Sequence, residues 1–306
     1  VNNDAVYSVS VAYTYRAEIE IERVHPVLGA REGGTLLTLY GTGFLDTTTT
    51  RCRFALVDVP ARLLAPGQLE CRTPMPATSG YVMLEVSTNG QDFSSSGVQY
   101  EYLRPVSVWS VEPSQGPTGG GTFVNVSGNA IPARSAQLGY VWCRFNTTVV
   151  AAAWVSTSEV HCVAPAHAAG MVVVELTVNE QEFTNDGVHF EYEVVSAYSV
   201  YPSSGPVLGG TSVEVRGSSI SLPDARGLFC QFGSAPAVAA SHSSRELVTC
   251  VVPPSANGLP GAVPVRLVNN DAVYSVSVAY TYRAEIEIER VHPVLGAREG
   301  GTLLTL

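Results

Sequence analysis

Apolar and polar residues alternate at period two in short bursts along the chain, as in Thr122-Phe123-Val124-Asn125-Val126 and Ser212-Val213-Glu214-Val215. Each burst ends at a glycine, here Gly128 and Gly217, with Gly41 at the matching place earlier. A side chain on every second residue faces one side of a strand, so this pattern predicts half-buried strands between turns. Longer alternating runs, Val82-Leu84-Val86, Val172-Val174-Leu176 and Val263-Val265-Leu267, predict the same. No segment combines helical periodicity with caps. The expectation is an all-β chain with about seven short strands per domain.

The bursts recur. Residues 1–39 reappear letter for letter at 268–306, an offset of 268 − 1 = 267. Inside that period lies a shorter one. Val24-His25-Pro26, Val111-Glu112-Pro113, Val200-Tyr201-Pro202 and Val291-His292-Pro293 are spaced by 87, 89 and 91 residues. Each copy then passes Gly-Gly-Thr (Gly33-Gly34-Thr35, Gly120-Gly121-Thr122, Gly209-Gly210-Thr211), Cys-x-Phe (Cys52, Cys143, Cys230), Cys-x-x-Pro (Cys71, Cys162, Cys250) and a closing aromatic pair (Tyr100/Tyr102, Phe190/Tyr192, Tyr280/Tyr282). The implied division is 18–104, 105–194 and 195–284 for three domains. Residues 1–17 are the last strands of a preceding copy and 285–306 the first strands of the next.

Composition narrows the function. Hydrophobic residues make up 45% and charged residues only 14%, against about 25% charged in an ordinary soluble domain. All 17 cationic residues are Arg, which excludes lysine chemistry, Lys–Asn isopeptide crosslinks included. A net charge of -10 repels phosphate backbones and argues against nucleic-acid binding. The longest apolar patch, near Met171–Val174, is far too short to span a bilayer, so this segment is expected not to insert in a membrane.

The stations Pro26, Gly29, Gly33-Gly34-Thr35, Gly41 and Phe44, their counterparts from Pro113 to Thr122 and Pro202 to Thr211, and the two Cys stations resemble the IPT/TIG family of immunoglobulin-like domains. The resemblance covers essentially the whole chain. It implies an all-β fold: tandem immunoglobulin-like β-sandwiches of the early type, arranged end to end. It implies no activity, since the fold carries receptors, DNA binders and rods alike. In the cell-surface branch of the family the two Cys stations are bonded. Here the separations are 19, 19 and 20 residues (Cys52–Cys71, Cys143–Cys162, Cys230–Cys250), one pair per repeat, which argues for three intradomain disulfides. Zinc is the alternative, but no copy supplies four ligands at usable spacing. Each disulfide would contribute roughly 3 kcal/mol by restricting the unfolded chain and would place the chain outside the cytosol.

Candidate modification sites are the sequons at Asn125 and Asn146 for N-glycans and the run Thr47, Thr48, Thr49, Thr50 for O-glycans. Glu18, Glu20 and Glu22 alternate with apolar residues and recur as Glu285, Glu287 and Glu289; a shared calcium ion and a solvated strand face both fit, and the solvated face is preferred, with no metal assigned. Trp109, Trp142 and Trp154 all fall in the second domain, two expected in its core and one facing a neighbour. There is no G-x-S-x-G nucleophile motif and no Walker loop, and Gly119-Gly120-Gly121-Thr122 reads as a turn. No catalytic residue and no cofactor are assigned.

The leading expectation is structural and extracellular: a rigid rod of disulfide-bonded domains, each adding roughly 35–45 Å, assembling with neighbouring copies of itself into a surface filament. Edge strands without Lys gatekeepers leave self-association open. The alternative is an adhesion or receptor ectodomain that binds other cell-surface proteins. A transcription-factor role is disfavoured by the charge and the paired Cys. An enzyme accessory role is disfavoured by the tandem copies.

Overall fold

A computed structural model describes residues 17–220, 228–244, 246–269, 272–273, 278–286 and 289–305. The expected closing strands at residues 1–16 lie outside this set, as does Glu287. The first sandwich contains β1 (Glu20–His25), β2 (Leu28–Gly29), β3 (Leu36–Thr42), β4 (Arg51–Phe54), β5 (Val57–Ala65), β6 (Gln68–Arg72), β7 (Gly80–Ser87) and β8 (Gln99–Tyr102). They join in the order β1-β3-β6-β5-β4-β7-β8-β2. Alternate residues Leu37, Leu39, Leu69, Leu84, Val86, Tyr100 and Tyr102 turn inward and are fully buried, as the period-two pattern requires.

Two stretches of chain belong to both layers. β5 pairs with β4 through Pro60 and with β6 from Ala61 onward. Its alternation never breaks, so Val59, Ala61 and Leu63 keep packing on one core while their backbone changes partner. The first stretch does likewise: β1 runs antiparallel to β3, the chain passes the cis His25–Pro26 bond, and β2 runs parallel to β8. Each flank of the sandwich is thereby formed by one stretch of chain that is shared between the two layers. The edges expected from the sequence are thus short, because each switching strand lends only part of its length to each layer and pairs there with a strand on one side.

The second sandwich repeats the plan with β9 (Ser107–Glu112), β10 (Gln115–Pro117), β11 (Phe123–Asn129), β12 (Trp142–Phe145), β13 (Thr148–Ser156), β14 (Glu159–Val163), β15 (Gly170–Thr177) and β16 (His189–Glu193). It adds a helix, α1 (Ala133–Gln137). No helix was expected there, because five residues are too few to show a 3.6-residue period. The third contains β17 (Ser196–Tyr201), β18 (Ser204–Pro206), β19 (Ser212–Ser218), β20 (Phe229–Phe232), β21 (Val238–Ala239), β22 (Ser241–Ser244), β23 (Leu247–Val251), β24 (Gly261–Asn269), β25 (Ala272–Val273) and β26 (Val278–Arg283). Here the switching strand is split: β21 pairs with β20 and β22 with β23, and Ala240 between them donates its N–H to Leu228.

A disulfide lies beneath each switching strand. Cys52 on β4 and Cys71 on β6 pair with Val59 and Ala61 of β5, one on each side of the changeover. They are bonded to each other, as are Cys143–Cys162 and Cys230–Cys250, with a Cα–Cα separation of 6.4 Å in all three. The bond ties one layer to the other inside the core.

The sequence stations meet at one pole of each sandwich. Gly33 has φ +73°, and a Cβ there would lie 2.7 Å from the Pro74 backbone. Only glycine enters that space without strain. Gly34 N–H donates to Thr73 O, and Tyr102 Oη donates to Pro74 O at 2.8 Å. A Cβ on Gly29 would lie 2.3 Å from Tyr100 Oη. Gly-Gly-Thr, Cys-x-x-Pro and the aromatic pair are therefore one packing unit.

Replacing Cys143 and Cys162 together by Ala is expected to lower the stability of the second sandwich by about 3 kcal/mol. Denaturant titration followed by tryptophan fluorescence measures this, because all three Trp lie in that domain.

Candidate functional site: the junction of the first two sandwiches

The pole built by these stations faces the next domain. Between the first two sandwiches the apolar interior is continuous. Val27 packs against both cores, and Leu28 and Leu103, buried at 0% and 6% exposure, belong to the second core's cluster together with Val108 and Val124. Leu28 belongs to β2 by chain and to the neighbouring sandwich by packing. The corresponding residues of the next poles are polar: Ser114-Gln115 and Ser203-Ser204.

A polar lock surrounds the seam. β1 ends opposite Thr38, so the backbone of Leu36 at the start of β3 extends past its partner. The side chain of Gln181 fills that place. Leu36 N–H donates to Gln181 Oε1 at 2.9 Å, and Gln181 Nε2 donates to Leu36 O at 2.8 Å. One amide thus imitates one residue of a β-strand. The loop that presents Gln181 is fixed by Asn179 Oδ1, which accepts the N–H groups of Gln181 and Glu182. Phe183 anchors it further, under the Arg144 guanidinium at 3.9 Å.

Two polar contacts flank the amide. Arg134 on α1 donates to Glu101 at 2.6 Å and to Tyr81 Oη at 2.7 Å. Burial alone would lower the Arg134 guanidinium; its bond to Glu101 and the neighbouring charges outweigh that and hold it above its ordinary value. On the other side His25 Nδ1 lies 3.1 Å from Tyr140 Oη, and His25 Nε2 lies 3.5 Å from Glu180. Burial pushes the Tyr140 phenol up, and the Glu180 charge adds to the shift. Glu180 has φ +68°, a left-handed conformation uncommon outside glycine. A cleft of about 320 Å³ opens beside the seam, lined in part by Gly33, Leu103, Arg104, Asn179 and Phe183.

The other residues singled out from the sequence are scattered. Asn146 is exposed, with φ +55°, at the turn between β12 and β13. Asn125 lies mid-sheet on β11 between Glu112 and His161, half-buried. The threonine run is not a simple solvated loop. Thr50 is buried and its hydroxyl donates to Leu45 O, while the hydroxyls of Thr47 and Thr49 both donate to Thr88 O; Thr48 is exposed. Glu18, Glu20 and Glu22 are exposed, and among the described residues no group of three His, Cys, Asp or Glu comes together to hold a metal. Trp154 packs on the core and Trp142 is half-buried, whereas Trp109 is 58% exposed. Trp109 occupies the bulged position of β9, as Glu22 and Tyr198 do in β1 and β17. Among the described residues no helix is long and apolar enough to cross a membrane.

The IPT/TIG domain family matches three successive segments, residues 20–102, 106–192 and 196–282. The chain belongs to the IPT/TIG family. Fibrocystin-L of Homo sapiens is 25% identical over 291 residues, covering 94% of this chain and 7% of that protein. Plexin-A2 of Homo sapiens is 30% identical over 188 residues, covering 56% of this chain and 10% of its own length. Among solved structures, the full extracellular region of plexin A4, domains 1 to 10, aligns with a TM-score of 0.55 at 18% identity, covering 92% of this chain and 26% of that one. At that identity the likeness is one of fold. This IPT/TIG array therefore spans a small fraction of the relatives it matches.

Sequence reasoning found the IPT/TIG stations and missed the lock. The signal was present: Asn-x-Gln-acid-Phe occurs at 89–93 and again at 179–183, in phase with the repeat. Leu28→Ala is expected to destabilise both adjoining sandwiches, the loss totalling about 2–5 kcal/mol, whereas Leu28→Met keeps most of it. Calorimetry of the two variants, with tryptophan fluorescence reporting the second sandwich, checks this.

Proposed function

We propose that the chain is a stiff extracellular segment of a cell-surface or filament protein, whose role is to hold its domains at fixed spacing rather than to catalyse a reaction. The observation that carries this reading is the seam at Val27, Leu28 and Gln181. A junction that shares a hydrophobic core resists bending, whereas a flexible linker has no such contact. Three buried disulfides favour an oxidising compartment, and the plexin and fibrocystin-L relatives fit a surface location. The partners are neighbouring copies of the chain and other cell-surface proteins. Association between copies would run through the poles, exposed side chains and the short edges of the switching strands. Small-angle scattering of the 306-residue chain is expected to give a rod with a maximum dimension of roughly 105–135 Å. A broad distribution typical of independently tumbling domains would remove the proposal.

A receptor ectodomain is the second reading, favoured by Trp109 and Tyr198. Both are exposed aromatics set at the bulge of a first strand, and bulges re-aim side chains.

Covalent glycans belong to the same picture. Asn146, exposed at a hairpin turn, is the proposed N-glycan acceptor in the folded array; Asn125 is held within a sheet. Peptide mapping of secreted material is expected to find glycan on Asn146 in most molecules and on Asn125 in few. The reverse distribution would refute the assignment.

A further inference from the structure

The N-terminal pole of the first sandwich carries a second copy of the locking loop. Asn89 Oδ1 accepts the N–H groups of Gln91 and Asp92, as Asn179 Oδ1 accepts those of Gln181 and Glu182. Ser94 Oγ accepts the Val86 N–H where Thr184 Oγ1 accepts that of Leu176. Arg53 lies 3.4 Å over Phe93 where Arg144 lies 3.9 Å over Phe183. Gln91 is exposed. Two loops of the same sequence pattern, folded by the same hydrogen bonds, present the same amide. In one of them that amide engages the preceding domain.

What precedes the first sandwich is written in the chain. Residues 1–15 are identical to 268–282, which close the third sandwich, and residues 285–305, which follow the third, are identical to 18–38, which open the first. The third domain type therefore stands before the first. Its pole offers the matching backbone. β17 ends at Tyr201 opposite Glu214, so Ser212 at the start of β19 extends two residues past its partner, as Leu36 does. Ser212 is exposed, and Tyr201, at the station of His25, is 73% exposed. The side chains around the amide also change in a complementary sense. His25 meets Tyr140 and Glu180; at the corresponding stations the larger Tyr201 would meet the smaller Thr49 and Gly90.

We infer that the N-terminal pole of the first sandwich is a docking surface for the C-terminal pole of a third-type sandwich, with the Gln91 amide paired to the backbone N–H and C=O of Ser212. This junction spans the 267-residue boundary. It lacks the oily seam, since Ser203 and Ser204 replace Val27 and Leu28, and relies on the amide. At the same station the third domain carries Asp271, outside the described residues, whose ionised side chain has acceptors only. The glutamine amide at this station thus occurs in the first and second domain types. The inference does not depend on filament assembly; it rests on the letters of the repeat and on the junction described above.

A phase-shifted chain tests it: residues 105–306 continued by 40–104, which contains each domain once and joins the third to the first. Hydrogen exchange resolved to single amides is read at Ser212. Exchange there is expected to be about tenfold slower than in the 1–306 chain, the effect of one net hydrogen bond. Gln91→Ala is expected to abolish the difference, and Gln91→Glu, which keeps the size but loses the donor, to weaken it. In the 1–306 chain Gln181→Ala is expected to speed exchange at Leu36 in the same way. If Ser212 exchanges equally in both chains, or ignores Gln91→Ala while Leu36 responds to Gln181→Ala, the docking surface does not exist. If Leu36 ignores Gln181→Ala, its template is absent and the inference falls with it.

Discussion

The backbone of each sandwich changes sheets twice, and the organisation of the array follows from that. A strand that pairs first with one layer and then with the other divides its length between them, so neither layer ends there in a long edge strand. β5 and the β1–β2 stretch do this on opposite flanks of the first domain. A bare edge is the ordinary route by which one β-protein joins another. With the edges of the flanks kept short, the poles gain importance as surfaces that present backbone groups past the ends of strands. Leu36 shows this directly, since its amide and carbonyl lie past the end of β1 and are met by Gln181 of the following domain. The disulfide beneath β5 holds the two layers together at the changeover, where hydrogen bonding shifts from one sheet to the other.

The junctions are not equivalent. The first pole presents Val27 and Leu28, and the second core packs on them; the second and third poles present serine and glutamine at those places. Burying a leucine contributes about 1.5–3 kcal/mol, whereas an amide pair contributes about 1 kcal/mol net per hydrogen bond. The first two domains are therefore expected to behave as one stiff body, joined to the third by a weaker seam. The stiffness of the array then alternates with the long period rather than with the single domain.

Much of the fold was legible because its signals are local. Gly33 must be glycine for its own φ and for the approach of Pro74, so the letter itself carries the constraint. Alternation located β5 but could not reveal its change of partner, because period two records which face is buried and not which strand lies alongside. The surroundings of the threonine run were hidden for a related reason: four consecutive hydroxyls do not reveal their partners in sequence, and the approach of Thr88 and Leu45 turns three of them into structural hydrogen bonds. Gln181 was invisible because a polar residue in a loop is ordinary by itself. Its meaning comes from the unpaired backbone of Leu36, which is distant in sequence and exists only once β1 has left its sheet.

Glu180 shows what the junction selects for. Its left-handed conformation costs on the order of 1–3 kcal/mol in a residue other than glycine, and the matching loop of the first domain uses Gly90 there. Its contact with His25, an ion pair only when the imidazole is protonated, is partly exposed, at 38% and 49%, and such pairs contribute about 1 kcal/mol at most. The pair cannot outweigh the strain by attraction alone. What it supplies is direction. His25 is held between Glu180 and Tyr140 on one side of the seam while Arg134 grips Glu101 on the other. Contacts on both flanks oppose rotation about the long axis, which an apolar seam by itself permits. The angle between the two sandwiches is fixed by groups that add little to their stability.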